Sequence, residues 1–225
     1  MENRLFPEEK DWAATIRWCG LALFLAGILL IPFVAIVLAT GQVLPVPAQQ
    51  ALEAPTIPRN AFLVATVGEI FLLPGFFALY LALSRTARVP MVFVLAFMAI
   101  SSPLFVASRM HLFAATKLGG LYAAAGPEAQ DVWLATAELA IESQNMNSTA
   151  ALLLLCAASI LTGIVMLRGG FPKWIGGLAV TAGGLTVFSP FAVMLGVPVI
   201  VPFIGLVLGA VWQMAAGWTL FRQPG

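Results

Sequence analysis

Charge is what this sequence has least of. Only 9% of its 225 residues are charged, against roughly 25% in a soluble domain, so the chain cannot cover a water-facing surface. Histidine occurs once, at His111, which excludes the multi-histidine iron sites of membrane desaturases and hydroxylases. Aspartate occurs only at Asp11 and Asp131, so no aspartate pair can hold magnesium on a diphosphate. The two cysteines, Cys19 and Cys156, both fall in apolar segments and read as buried thiols rather than a disulfide. No glycine-rich nucleotide loop and no GxSxG elbow occur. Lys117 and Lys173 fall at expected helix ends, which argues against a lysine Schiff base. A net charge of +1 with dispersed basic residues offers nucleic acid no patch to bind. The expectation is a protein without metal or cofactor.

What the sequence has is hydrocarbon. It is 61% hydrophobic, with a mean hydropathy of +0.99. Six segments approach the ~20 apolar residues that a ~30 Å bilayer core requires: about 14–39, 60–83, 89–115, 143–167, 174–195 and 199–221. The polar N-terminus, MENRLFPEEKDWAATIRW, reads as no secretory signal. Between the spans lie a proline-rich loop (GQVLPVPAQQALEAPTIPRN), a basic turn (SRTARVP), a polar stretch over 117–142, a second basic turn (RGGFPK) and a minimal Gly-Val-Pro turn. The expected fold class is all-α, one six-helix transmembrane domain over residues 1–225.

Basic residues test this division. With both termini in the cytoplasm, Arg4, Lys10, Arg17, Arg85, Arg88, Arg168, Lys173 and Arg222 gather at the inner face. Arg59 and Lys117 fall outside, and Arg109 lies within span three. The positive-inside rule asks for such a bias, and five or seven helices would scramble it. The expected location is the cell membrane.

A charged side chain at mid-bilayer costs ~2.5–3.5 kcal/mol on insertion scales, so it faces a partner or a cavity. Glu69, in GEIFLLPG, is such a residue, and Pro74 behind it should kink span two. Pro32, Pro103 and Pro190 are candidates for further bends, by which helices enclose a cavity. Span three offers Arg109 and His111, which point about 200° apart on a helix, so only one can face a given pocket. The approach to span four offers Glu138, Glu142, Gln144, Asn145 and Asn147. Asp131, Glu138, Glu142, Asn145 and Thr149 share one helical face. Spans two, three and four thus place polar groups in the outer half of the membrane, while spans one, five and six supply almost nothing comparable. Plainer readings stand beside this: Glu69 and Arg109 as a structural ion pair, His111 bonded to a carbonyl, Glu138 solvated among headgroups, and Asn145 and Asn147 as interhelical glue. GGLAVTAGG in span five and Gly205-x-x-x-Gly209 in span six read as close helix contacts, within one chain or between two.

These residues point to acid–base chemistry on an apolar molecule. A carboxyl surrounded by hydrocarbon favours its neutral form and can then serve as a general acid. Aromatic faces and methionine sulfurs, from 16 Phe, 6 Trp and 8 Met, could steady a cationic centre.

Two resemblances enter on particular residues. LRGGFPKWIGGLAVTAGG, residues 167–184, with GLYAAAGPEAQ before span four, resembles an uncharacterised family of small bacterial six-helix membrane proteins (domain of unknown function 4386). That likeness implies an architecture and no activity. By size and intramembrane glutamates the chain also resembles membrane-bound terpene cyclases of the protonation-initiated kind. The likeness implies Glu69 and Glu142 only as a type of residue.

The expectation is a membrane enzyme that protonates, cyclises or isomerises an isoprenoid or other lipid-like substrate. Glu69 or Glu142 would be the acid. Arg109 and Asn145 would orient the partner carboxylate, His111 would return the proton, and Glu138 and Asn147 would contact substrate. Expected partners are the bilayer, an apolar small molecule and a further copy of the chain. The alternative is a small transporter or a membrane binding or assembly subunit; without a detectable inverted repeat, six short helices make a poor transporter.

Overall fold

A computed structural model describes residues 9–40, 47–53, 56–192, 194–198 and 200–222. Of the described residues 90% are helical and none lies in a strand. Six helices are long and apolar enough to cross a membrane, which makes this a multi-pass membrane protein with an all-α bundle. They are built from α1 (Glu9–Thr40), α3 (Thr56–Leu83), α4 (Arg88–Lys117), α6 (Pro127–Arg168), α7 (Lys173–Thr186), whose span runs on through a 3-10 turn to Phe191, and α8 (Ile200–Arg222); the short α2 (Ala48–Glu53) and α5 (Gly119–Ala124) complete the elements.

The six long helices form a ring. α1 packs on α3, α3 on α4, α4 on α6, α6 on α7, α7 on α8, and α8 closes back on α1. Contacts across the ring are sparse, so its interior is filled by side chains or left open. Both occur. At the end of the bundle that carries the basic turns, Leu79, Leu83, Met91, Met166 and Leu220 are fully buried in one apolar cluster. At the opposite end Phe33, Leu52, Phe62, Leu112 and Ile141 form a second. The space between the two clusters is incompletely filled.

Glycines let the ring close. A Cβ on Gly27 in α1 would stand 2.7 Å from the carbonyl oxygen of Ala210 in α8, and one on Gly176 in α7 would stand 2.8 Å from that of Gly163 in α6. Gly217 meets the backbone of Phe24 and Gly20 still more closely. The expected glycine contacts of spans five and six thus fall within the chain: Gly183 touches Ile160 and Cys156, and Gly205 touches Thr186. Gly177 and Gly184 face open space.

The structure corrects three expectations. Span four, expected over about 143–167 with a helical lead-in from Asp131, begins at Pro127 as α6, and α5 follows α4 after Leu118. Proline in the first helical turn is pre-set for helix, and Glu128 beside it complements the positive end of the helix dipole. α6 therefore has 42 residues, ~63 Å at 1.5 Å per residue, about twice the hydrocarbon thickness.

The second correction concerns span five. α7 stops at Thr186, only 14 residues or ~21 Å long. A 3-10 turn at Ser189–Phe191 and non-helical chain to Pro198 follow. Pro190 breaks the span rather than bending it: it opens the 3-10 turn, where its missing N–H is not needed.

The third concerns the proline-rich loop, which contains α2 over Ala48–Glu53. Its residues 41–46 and 54–55 lie outside the described residues, as does Arg4. Pro32, Pro74 and Pro103 sit inside helices that continue through them. Cys19 and Cys156 are free thiols.

Candidate membrane-embedded ligand cavity

Glu69 and Arg109 face each other between α3 and α4. Arg109 Nη2 donates to Glu69 Oε1 at 2.6 Å, and the two side chains retain only 8% (Arg109) and 12% (Glu69) of their exposure. Two aromatic rings cover the guanidinium, with Phe62 at 4.5 Å and Phe105 at 5.8 Å from its central carbon. Charge, hydrogen bond and ring faces together compensate a group that hydrocarbon would otherwise reject. The compensation is partial. Glu69 Oε2 and Arg109 Nε have no protein partner, and an unmatched buried polar atom costs ~1–3 kcal/mol.

A second polar seam joins α4 to α6. Ser101 Oγ donates to the carbonyl of Ala151 at 2.8 Å. Ser108 and Ser148 share a hydroxyl hydrogen bond of 2.6 Å, and Gln144 Nε2 donates to Ser148 Oγ at 3.1 Å. Helical periodicity puts Ser101 and Ser108 two turns apart on one face of α4, toward α6.

Both polar features border a cavity of about 470 Å³, within the range of small-molecule sites. Its polar wall comes from α3, α4 and α6: Glu69, Arg109, Glu142, Asn145, Ser148 and Thr149. Its apolar wall comes chiefly from α1 and α8, with Leu30, Phe33, Phe203 and Leu206, completed by Leu152 and Leu155 of α6. Of the lining residues only Glu142 and Ser189 are exposed, which puts the mouth between α6 and the broken end of span five. Exposed apolar side chains flank that break, among them Phe188, Phe191 and Leu195. Non-helical backbone at membrane depth is tolerated where it lines a cavity, and here Ser189, Pro190 and Ala192 do so.

The residues singled out in the sequence separate at this site. Glu69, Arg109, Glu142 and Asn145 all line the cavity. His111, Glu138 and Asn147 do not. His111 is half-buried elsewhere on α4, because the 200° between it and Arg109 allows one of them inside. Asn147 lies two residues beyond Asn145 and so faces away. Glu138 shares the face of Glu142 but sits one turn further out, exposed beyond the mouth.

Other lining residues had drawn no attention. Ser148 and Ser189 are small hydroxyls, unremarkable in any apolar segment. Gln213, buried in α8, lines both this cavity and a 50 Å³ annex beside Trp212. It is the only glutamine within span six, so the polar inventory applied to spans two to four would have found it. Among the described residues no three His, Cys, Asp or Glu side chains group as metal ligands.

Comparisons with protein-family models, curated proteins and solved structures return no match. The functional reading therefore stands on the site itself.

Proposed function

We propose that the protein is a membrane-embedded enzyme performing acid–base isomerisation or cyclisation of an apolar, isoprenoid-like substrate. One observation carries this reading: two carboxyl groups, a guanidinium and an amide from three helices converge on one cavity whose remaining walls are largely apolar. Glu142, exposed at the mouth, exchanges protons with solvent and is the acid. It gives a proton to one carbon of a substrate double bond, leaving a cation, and its carboxylate then takes a proton from a neighbouring carbon, so that a double bond forms again and Glu142 is returned protonated. Glu69, held by Arg109, is a fixed anion facing the cationic centre, an electrostatic rather than a proton-transferring role. Phe62 and Phe105 cover Arg109, which leaves Phe33 and Phe203 as the lining rings to meet the same charge.

Incubation with linear isoprenoid hydrocarbons and alcohols in D2O, followed by mass spectrometry of the products, tests the reading. The expected result is a rearranged product carrying a solvent deuteron, formed by the wild type and lost in Glu142→Gln. No new product across the panel, or undiminished turnover in Glu142→Gln, contradicts it.

A second reading, a non-catalytic membrane binding subunit, draws on the Glu69–Arg109 pair, which engages both partners without a substrate. Transport is the poorer fit, because the apolar cluster at the basic end packs the ring below the cavity. In orientation, we infer that the basic turns face the cytoplasm of a cell membrane, so that the cavity lies in the outer half.

A further inference from the structure

We propose that the cavity takes an amphiphile whose head donates hydrogen bonds, a long-chain alcohol or primary amine, and discriminates against the matching carboxylate. The proposal rests on reading this cavity as a ligand site and adds the chemistry of its head-group end.

Shape sets the reach. Along α6 the lining runs from Glu142 to Leu155, thirteen residues or ~20 Å, so the cavity is long enough for a hydrocarbon chain laid along the helix.

Polarity sets the direction. The cavity-lining residues of α6 run Glu142, Gln144, Asn145, Ser148, Thr149, Leu152 and Leu155, so along this helix the wall turns from polar to apolar with depth, with Gln213 of α8 the one polar group at the far end. A ligand places its head near Glu142 and Asn145 and its tail toward Leu155, passing the Glu69–Arg109 pair on the way.

Charge sets the head. Glu69, Arg109 and Glu142 are the only charged residues lining the cavity. Arg109 is already neutralised by Glu69 and covered by Phe62 and Phe105, so its charge is matched before a ligand arrives. Glu142 is then the carboxyl at the mouth that faces no counter-charge in the cavity. It and the Asn145 carbonyl accept hydrogen bonds, which an alcohol or ammonium supplies. A carboxylate head supplies none and meets a like charge, a juxtaposition that costs several kcal/mol at interfaces.

Native mass spectrometry of the full chain in detergent, titrated at neutral pH with a saturated primary alcohol, amine and carboxylic acid of equal chain length, tests this. The expected result is that the acid binds roughly tenfold more weakly than the alcohol, or worse, and that Glu142→Gln removes most of that gap by strengthening acid binding. Leu152→Trp, which blocks the cavity, should abolish binding of all three with an unchanged elution profile. Equal binding of acid and alcohol by the wild type, or a gap that survives Glu142→Gln, overturns the proposal. Alcohol binding that survives Leu152→Trp places the ligand elsewhere and overturns it too. Selective binding without deuterium incorporation would remove the chemistry and leave this inference standing; turnover without head-group selectivity would do the reverse.

Discussion

Arg109 on α4 and Glu69 on α3 are joined by a 2.6 Å hydrogen-bonded ion pair inside the ring of helices. Removing one partner of a buried pair leaves an uncompensated charge and costs ~3–5 kcal/mol, whereas replacing both with apolar residues is often neutral. Glu69→Leu and Arg109→Leu should therefore each lower the thermal unfolding temperature in detergent, and the double variant should recover much of the loss. Additive losses in the double variant would mean that the two side chains act independently.

The seam between α1 and α8 makes a sharper packing test. A methyl group on Gly27 or Gly217 would meet facing backbone, which cannot retreat without opening the ring, and overpacking costs ~1–3 kcal/mol. Gly27→Ala and Gly217→Ala should be clearly destabilised, while Gly177→Ala and Gly184→Ala, which meet open space, should unfold like the wild type. Equal behaviour of the two pairs would contradict the ring.

Three residues of α6 share a helical face but differ in depth. Glu142→Ala should eliminate ligand binding and turnover, Asn145→Ala should weaken them, and Glu138→Ala should stay within a few-fold, because Glu138 is not part of the cavity lining. Equal damage from Glu138→Ala and Glu142→Ala would move the site outward, toward the headgroups.

Orientation is checked by labelling single cysteines with a membrane-impermeant reagent on intact cells. Positions in 120–128 should react, and positions in 85–88 and 169–172 should react only after lysis. Reaction of the basic turns from outside would invert the proposed topology.

Hydropathy made the six spans legible because each apolar run is long and Arg85, Arg88, Arg168 and Lys173 punctuate the turns. It failed where composition and conformation part company. Residues 187–198, VFSPFAVMLGVP, are as apolar as a helix, yet Pro190 and Gly196, whose φ is +64°, suit turns. The start of α6 is rich in Glu, Gln and Asp, so hydropathy set the span's start near 143, although helix propensity and the Gly-Pro entry put it at Pro127. Glu69 and Arg109 stood out in the sequence as isolated charges in hydrocarbon. Ser148 did not, since small hydroxyls are common in membrane helices and only packing reveals which of them face inward; Gln213 was legible as the lone glutamine of span six but was not singled out. Periodicity placed Glu138 and Glu142 on one face, but a face does not say where a cavity ends.

The central claim is that the space between the two apolar clusters holds a lipid-like molecule. A cryo-electron microscopy map of the protein purified into nanodiscs tests it most directly. The account predicts continuous, rod-like density ~20 Å long, running from beside Glu142 and Asn145, past Glu69 and Arg109, to Leu155. A ring whose side chains close the space, or one holding only isolated water-sized peaks, would contradict it.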